Sequence, residues 1–459
     1  MVKLHWSIAL KLEQMKFLRE YLKKASNLFL FFGIFFYLFN CQDQKLNSPC
    51  DPESEAYRNT NIIKHILMDD SPFCGLIPYL GIVATPRFNP SSGNKTTLSN
   101  IEISTTTPGA TIHFSTDGTN PTSNSTIYSS ALENIWSLAG KTIKAIAVRS
   151  GMTSSEVLTG IFSYLPLKTG QQISYAVGDD GESQTGVSRS YTDNGDGTVK
   201  DNATGLIWQK CSVGQTGSDC SGGTINSNDW DTAISTCSGL SLAGKTWRLP
   251  TRQELETLPD YSKDNPSIEV SYFPNTAAGY YWSSSVHAVN TSQAWNIQFT
   301  GGAVSGTAKT TTYSVRCVSG PTKNYTSNFT DNGDGTIKDN ATGLVWQKCS
   351  IGQSGLDCSG VGIKKTWTDA ISTCTGLSLA GKFWRLPNVN EFKTIVDTNK
   401  STSPVIDVSY FPNTASSDDY WSSTTSTVTA NAWLVNFDDG SSIPFSKSSN
   451  LYVRCVSGP

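Results

Sequence analysis

The chain has 459 residues, a formal net charge of −3 and an apolar content of 37%. This length allows three globular modules and a leader, and the abundance of Gly, Ser, Thr and Asn is typical of a β-rich exported protein rather than of a disordered or fibrous chain. Residues 1–40 hold six Lys or Arg against two Glu, so they carry +4 and the rest of the chain −7. An acidic body without a run of Lys and Arg excludes nucleic acid as an expected partner.

The first 40 residues have the pattern of an export signal. The apolar run Leu28–Phe39 follows four basic residues and comes just before Cys41. About 20 apolar residues are needed to span a bilayer, so this run is too short for a membrane helix and predicts a signal peptide over 1–40.

The residues around the predicted cleavage site resemble a lipobox. Leu38-Phe39-Asn40-Cys41 is similar to the relaxed form found in spirochaete lipoproteins. The resemblance implies acylation of Cys41 and a cell-envelope, outer-membrane lipoprotein anchored by lipid, with exposure at the cell surface left open. The alternative is an ordinary signal peptide followed by a chance cysteine.

A polar tether is predicted over residues 41–83. Cys50 and Cys74 flank its central part, and in an oxidising compartment we expect them to pair. The alternative is a flexible spacer with two incidental thiols.

Residues 84–165 have the pattern of an all-β module. Apolar and polar residues alternate over 101–103, 111–114 and 141–148, and turn dipeptides such as Pro108-Gly109 separate them. This pattern predicts an Ig-like β-sandwich. The pieces TTPGATIHFSTDGTNPT and TIKAIAVRSGMTSSEV resemble the C-terminal module of chitobiases and other glycoside hydrolases, which implies an accessory module without chemistry of its own.

The remainder of the chain is a tandem duplication. DNGDGTVKDNATGLIWQKC at 193–211 returns as DNGDGTIKDNATGLVWQKC at 331–349, and later landmarks recur at offsets of 137 to 139. We therefore predict copy one over 166–320 and copy two over 321–459, with insertions and deletions confined to loops.

Each copy has the same predicted order of elements. A tight DNGDGT turn precedes a strand, and a helix then carries apolar residues at helical spacing. A capping box at Thr251–Glu254, or Asn388–Glu391, opens a second helix, and aromatic strands follow. The pattern predicts a multidomain protein in which the sandwich precedes two α+β domains.

Several motifs of the two copies resemble the Lcl C-terminal domain family, a bacterial family without assigned chemistry. They are TDNGDGTVKDNATGLIWQK, WRLPTRQEL, YWSS, AWNIQF and VRCV. The resemblance implies a fold related to C-type lectins and to the formylglycine-generating enzyme. It also implies adhesion to glycosaminoglycan or host matrix, as in some members.

Each copy contains four cysteines, which in an exported chain imply two disulfides with three possible pairings. We predict that a short bond and a long bond form in each copy, the long one as in lectin-like folds. The predicted pairs are Cys211–Cys220, Cys237–Cys317, Cys349–Cys358 and Cys374–Cys455. A zinc site is the alternative, but the copies share no histidine and contain no CxxC pair.

The sequence offers only weak candidates for binding residues. Trp282 and Trp421 would stack on sugar rings if exposed, and Arg248 and Arg385 would contact a ligand if they were not used to pair a carboxylate. Six aspartates in the two turn regions are calcium candidates, although hairpin turns use the same residues. They are Asp193, Asp196, Asp201, Asp331, Asp334 and Asp339.

No catalytic motif is shared by the two copies, and His287 has no counterpart in copy two. We therefore expect no enzyme activity and no cofactor. The leading hypothesis is a lipid-anchored envelope protein whose tandem domains bind a glycan or an extracellular-matrix ligand. The alternatives are an enzyme related to formylglycine generation and a structural envelope protein without a ligand. The chain does not identify the ligand, the membrane face or the oligomeric state.

Overall fold

The computed structural model of the protein describes residues 59, 81–95, 100–132, 138–323, 328–416 and 419–458. The predicted signal peptide, Cys41, Cys50 and Cys74 lie outside these residues. Within the described part of the chain, no helix is both long and apolar enough to cross a membrane.

The first module of the described chain is a β-sandwich. Its two sheets have the orders β1-β3 and β2-β7-β6-β4-β5, and apolar residues of β3, β4 and β6 form the core between them. The strands are β1 (Arg87–Asn89), β2 (Gly93–Lys95), β3 (Glu102–Ser104), β4 (Thr111–Ser115), β5 (Thr126–Ile127), β6 (Thr142–Val148) and β7 (Leu158–Tyr164). The alternation of buried and less buried residues along β6 is the period-two pattern seen in the sequence. The Ig-like sandwich prediction agrees with this arrangement.

A segment of 21 residues, here called the arm (167–187), connects the sandwich to copy one and contains helix α1 (Asp180–Ser183). The sequence repeat predicts the arm as the start of copy one, but several of its hydrogen bonds are made with copy two. Asn390 Nδ2 of copy two, for example, donates to the Leu167 carbonyl at 2.9 Å.

Copy one is built mostly from strands. They are β8 (Tyr191–Asp193), β9 (Thr198–Asp201), β10 (Ile207–Gln209), β11 (Gln215–Thr216), β12 (Gly222–Gly223), β13 (Ser227–Asn228), β14 (Tyr280–Val286), β15 (Gln293–Gln298), β16 (Ala303–Ala308), β17 (Tyr313–Ser314) and β18 (Val318–Ser319). Its helices are α2 (Trp230–Ser238), which begins after the cap Asp229, and α3 (Arg252–Leu255), whose capping box at Thr251 and Glu254 has the predicted hydrogen bonds.

Copy two repeats the principal elements. They are β19 (Phe329–Asp331), β20 (Thr336–Asp339), β21 (Val345–Gln347), α4 (Trp367–Thr375), α5 (Val389–Lys393), β22 (Asp419–Thr425), β23 (Asn431–Asn436), β24 (Ser442–Ser446) and β25 (Val456–Ser457). Thr366 caps α4, and Asn388 and Glu391 form the second capping box. The described chain is thus mainly β-sheet, with five short helices among its described residues.

The two copies share one eight-stranded sheet of order β13-β17-β14-β15-β16-β24-β23-β22. Equivalent strands meet at its centre, where β16 pairs with β24 in antiparallel register at Val304 and Ser442. Because an edge strand presents unpaired backbone groups, this junction satisfies the edge of each copy with the same edge of the other. A separate four-stranded sheet in each copy, β18-β10-β9-β8 and β19-β20-β21-β25, holds the DNGDGT turn.

The sandwich packs on copy two through a close backbone approach at Gly140. This glycine has φ +72°, and a Cβ placed there would lie 2.8 Å from the backbone nitrogen of Ala341. Tyr164 N also donates to the Ala341 carbonyl at 2.9 Å. Only glycine therefore fits this junction without a shift of one module against the other.

Candidate functional site

The eight repeat cysteines form four disulfide bonds, and these are the four pairs that the sequence analysis predicts. The bonds are Cys211–Cys220, Cys237–Cys317, Cys349–Cys358 and Cys374–Cys455. In each copy the long bond joins the first repeat helix to the segment between the last two strands of the sequence repeat. The four cysteines of the long bonds are fully buried, so their sulfur atoms are part of the hydrophobic core. They are Cys237, Cys317, Cys374 and Cys455.

The proposed sugar-stacking role of Trp282 and Trp421 is wrong. Both side chains are 0% exposed. Their indole nitrogens donate to the backbone carbonyls of Asn228 at 2.9 Å and Lys365 at 3.0 Å. Each ring faces the core between the sheet and a helix, where a buried indole needs the internal acceptor that it has here.

Arg248 and Arg385 serve an internal ion pair rather than a ligand. Each guanidinium makes two hydrogen bonds to one carboxylate, Arg248 to Glu254 at 2.6 and 2.7 Å and Arg385 to Glu391 at 2.6 Å for both. Burial alone would lower the pKa of Arg385, but the Glu391 carboxylate outweighs burial and raises it. These ion pairs link the WRLP segment to the following helix, which is the carboxylate-pairing alternative that the sequence offers for both arginines.

The six calcium candidates make hydrogen bonds within the two turn regions. In copy one Asp193 accepts from Gly195 N and from Lys210 Nζ, Asp196 accepts from Thr198, and Asp201 is buried under its own turn. Their counterparts Asp331, Asp334 and Asp339 make the matching turn contacts. Among the described residues, no three His, Cys, Asp or Glu side chains come close enough to hold a metal ion. The contacts that are present explain these aspartates as turn formers.

A groove on copy one is a candidate site that the sequence pattern does not reveal. It measures about 680 Å³ and lies between the arm and the loop 260–272. Its lining combines charged, amide, hydroxyl and aromatic side chains. Among the lining residues are Asp260, Lys263, Glu269 and Tyr272.

A lysine bridges the two acids of the groove. Lys263 Nζ lies 2.5 Å from Glu269 Oε2 and 3.5 Å from Asp260 Oδ2. Although burial opposes the charge of Glu269, its hydrogen bond from Lys263 lowers the pKa of that carboxyl. Both acids are held as acceptors, and Lys263 remains a donor, so the groove presents fixed polar groups of both kinds.

Hydrogen bonds and an aromatic contact hold the walls of the groove in place. Arg189 donates from Nη1 to the Lys168 carbonyl at 2.7 Å and from Nε to the Thr257 carbonyl at 3.3 Å, and it also donates to the Pro259 carbonyl. Tyr272 packs on Tyr191 with ring centroids 5.5 Å apart and is half-buried. Arg189 thus links the arm to the segment before the loop, and Tyr261 N of the loop donates to the Thr169 carbonyl of the arm at 2.8 Å, so hydrogen bonds fix the two walls relative to each other.

Copy two has the corresponding loop without the same groove lining. Asp397, Lys400, Asp407 and Tyr410 are the counterparts by sequence offset. Lys400 donates to the carbonyls of Pro404 at 2.7 Å and Ile406 at 2.9 Å instead of bridging two acids. The arm, which forms one wall of the groove, is not part of the duplication. The groove therefore has no counterpart in copy two, and residues repeated in both copies do not point to it.

His287 is buried between the copies. Its ring stacks on Trp295 with centroids 4.4 Å apart, and its Nε2 lies 3.8 Å from Asp439 Oδ2 of copy two. Asn290 N donates to Nδ1 at 3.2 Å, so the second nitrogen carries the proton that faces Asp439. The residue that lacks a counterpart in copy two is therefore part of the junction.

Comparison with known proteins identifies two kinds of module in the chain. The model of the family described as Lcl C-terminal domain matches residues 197–319 and 335–457, which together exceed half of the chain. The model of the chitobiase/beta-hexosaminidase C-terminal domain matches residues 90–159. No curated protein and no solved structure matches the chain.

Proposed function

Because the chain belongs to the Lcl C-terminal domain family, we propose that its two repeats act as one non-catalytic module that binds a glycan outside the cytoplasm. Lipid attachment at Cys41 would hold this module at the cell envelope, where it would serve adhesion. The presence of a chitobiase-type accessory module in the same chain supports a carbohydrate as the class of ligand.

The single observation that carries the proposal is the groove between the arm and the loop 260–272. A sugar presents hydroxyl groups, which donate and accept hydrogen bonds, and an apolar ring face. The groove offers acceptors on Asp260 and Glu269, a donor on Lys263, and the half-buried ring of Tyr272. Its charges nearly cancel, so an uncharged glycan fits it better than a highly sulfated one.

The fold proposed for each repeat is α+β and C-type-lectin-like. In support, a helix is tied by the long disulfide to a buried position near the end of each repeat, at Cys237–Cys317 and Cys374–Cys455. The aromatic strands β14–β16 and β22–β24 follow in antiparallel order.

Chemistry related to formylglycine generation is the weaker proposal. It would require a reactive pair of cysteines, and the eight repeat cysteines are all engaged in disulfides. A thiolate would have to be released from a bond that stabilises the core. The binding function requires no such change.

The binding proposal is tested by exchanging Tyr272 for alanine in the intact chain and measuring affinity for the glycans that the native chain retains on an array. We expect Tyr272→Ala to weaken binding about tenfold, which corresponds to about 1.4 kcal/mol, because tyrosine is enriched among the residues whose truncation costs more than about 1 kcal/mol of binding energy. Tyr410→Ala is the matched control, since Tyr410 packs on Phe329 as Tyr272 packs on Tyr191 but lines no part of this groove.

Equal losses in the two variants would mean that the tyrosine acts on stability alone. The absence of any retained glycan would remove the proposal. Intact-mass analysis of protein from native membranes tests the anchor separately, and an unmodified Cys41 would contradict it.

A further inference from the structure

The arm occupies a well-defined surface of copy two. Thr425 N donates to Gln171 Oε1 at 2.7 Å, and Thr424 Oγ1 donates to Asp180 Oδ2 at 2.8 Å. Between these anchors Lys447 Nζ lies 5.0 Å from the Tyr175 ring, and Gly178 lies against Ile371. We call this the arm-binding surface of copy two; it consists of Trp367, Ile371, Thr424, Thr425 and Lys447.

Copy one has the corresponding surface, here called the vacant surface because no described segment lies on it as the arm lies on copy two, and its residues are similar except that Val286 replaces Thr425. It consists of Trp230, Ile234, Ser285, Val286 and Lys309. Lys309 Nζ lies 4.4 Å above the Trp230 ring, as Lys447 Nζ lies 3.8 Å above Trp367. Ser285 Oγ accepts from the first backbone nitrogen of α3 at 3.0 Å, and Thr424 Oγ1 accepts from that of α5 at 3.1 Å.

The two surfaces differ in exposure. Ile371 and Trp367 are each 1% exposed, and Thr424 and Thr425 are 0% and 2% exposed. Their counterparts Ile234, Trp230, Ser285 and Val286 are all only half-buried. The positions that are buried in copy two and partly exposed in copy one therefore outline the area that the arm covers on copy two.

The linker between the copies cannot supply a second arm. Lys323 takes the place of Thr185, since Lys323 N donates to Glu254 Oε1 at 2.7 Å as Thr185 Oγ1 donates to Glu391 Oε1 at 3.1 Å. The residues before Lys323 that would continue the match are already used in β17 and β18 of copy one. Lys323 of the linker therefore lies at the edge of the vacant surface, and the described residues that precede it do not cover that surface.

We propose that the vacant surface is a docking site for a segment of a partner protein that resembles the arm, with an amide side chain followed nine residues later by a carboxylate at the start of a helical turn. The known fit of the arm to the sibling surface identifies this chemistry. The amide oxygen meets the backbone nitrogen at Val286, the carboxylate meets the Ser285 hydroxyl, and an aromatic ring packs on Lys309. Small residues in between allow the backbone to lie against Ile234.

The probe for this proposal is a fluorescent synthetic peptide of residues 167–187, titrated into the intact chain in detergent and followed by anisotropy. We expect saturable binding of one peptide per chain. A peptide with Gln171→Ala and Asp180→Ala should bind at least about tenfold more weakly, because both anchors are lost. A peptide with a photoreactive group at position 175 should cross-link to the region of Trp230 and Lys309.

Variants of the chain locate the site. Ile234→Arg should reduce affinity about tenfold or more, whereas Ser235→Arg, which adds the same charge at an exposed position of the same helix, should not. Lys309→Ala, which alters only a half-buried side chain, gives an independent reading if Ile234→Arg does not fold. Absence of saturable binding, equal affinity in all variants, or cross-links confined to the region of Trp367 and Lys447 would each overturn the proposal.

Discussion

At the scale of single residues, most of the aromatic and charged side chains that recur in the two copies are buried and make internal contacts. Arg316 and Arg454 illustrate this, because each is 0% exposed and lies about 5 Å from the ring of Phe273 or Phe411. Burial lowers the pKa of both guanidinium groups, and the surrounding carbonyl and hydroxyl oxygens accept from them. Residues that recur in both copies of this chain therefore indicate a shared fold more than a shared chemical function.

Asp180 is the buried acid most closely linked to the arm. Burial raises its pKa from 3.8 to about 6, although Thr169 and Thr424 each donate to its Oδ2. Its Oδ1 has no hydrogen-bond partner. Desolvation of the carboxylate therefore outweighs the two hydroxyl groups.

The pH dependence of stability follows from this shift. Because folding raises the pKa, the folded state holds the proton more tightly, and the contribution of Asp180 is full below about pH 3.8 and lost as the pH rises through about 6. We expect the native chain to lose up to about 3 kcal/mol from this group over that window. Asp180→Asn should lack this loss, and the comparison is made by urea unfolding at several pH values.

The difference between the two proteins isolates Asp180 from Asp339, whose pKa burial also raises to about 6. The asparagine introduces a constant cost for its buried amide, which does not vary with pH. Parallel stability curves for the native chain and Asp180→Asn would contradict the assignment.

At the scale of elements, each repeat depends on local caps and on one long covalent tie. The helices α3 and α5 are only four and five residues long, and in each a capping box satisfies the backbone nitrogens of the cap residue and of the third helical residue. The long disulfide joins α4 to Cys455 across a separation of 81 residues, while Cys349–Cys358 closes a loop over nine. The long bond restricts the unfolded chain far more.

Removal of these bonds should follow loop length. In the chain-entropy model, a double alanine variant at Cys374 and Cys455 loses about 4.5 kcal/mol, and one at Cys349 and Cys358 loses about 2.7 kcal/mol. Full burial of Cys374 and Cys455 acts in the same direction. The free energies of unfolding come from denaturant titrations, and a larger loss for the short bond would show that native-state packing, not loop closure, decides the effect.

At the scale of the whole molecule, the two copies pack together as one structural unit rather than as two separate domains. Equivalent strands β16 and β24 meet, and the linker and the arm make matching contacts with opposite copies. Tyr261 of copy one enters the core of copy two, where its ring lies 4.9 Å from that of Trp433. Lys393 Nζ donates to its hydroxyl at 2.6 Å.

These contacts predict that the two repeats unfold together. Tyr261→Ala should open a cavity in the junction, cost about 3 kcal/mol or more, and divide one calorimetric transition of the repeats into two. Tyr261→Phe is the matched control, since it keeps the ring and loses only the hydroxyl, and it should retain the single transition. A single transition of unchanged cooperativity in Tyr261→Ala would refute the coupling.

The short-range features of this protein were readable from the sequence. Helix caps at Thr251 and Asn388, the DNGDGT turns and the alternation along β6 depend on neighbours within a few residues, so spacing alone predicts them. The motifs of the two repeats predicted the Lcl C-terminal domain family, and the match of the family model to both copies confirms it. The four disulfides within the repeats also followed from cysteine spacing and the lectin-like resemblance.

Only the tertiary structure decided where the faces of these elements lie. Burial of Trp282, the join between β16 and β24, and the path of the arm to copy two all depend on contacts between residues far apart in the chain. Local pattern does not encode such contacts, because the same strand or tryptophan satisfies its propensity equally well at a surface or at an interface. The groove and the vacant surface both depend on the arm, which has no second copy among the described residues of the repeats.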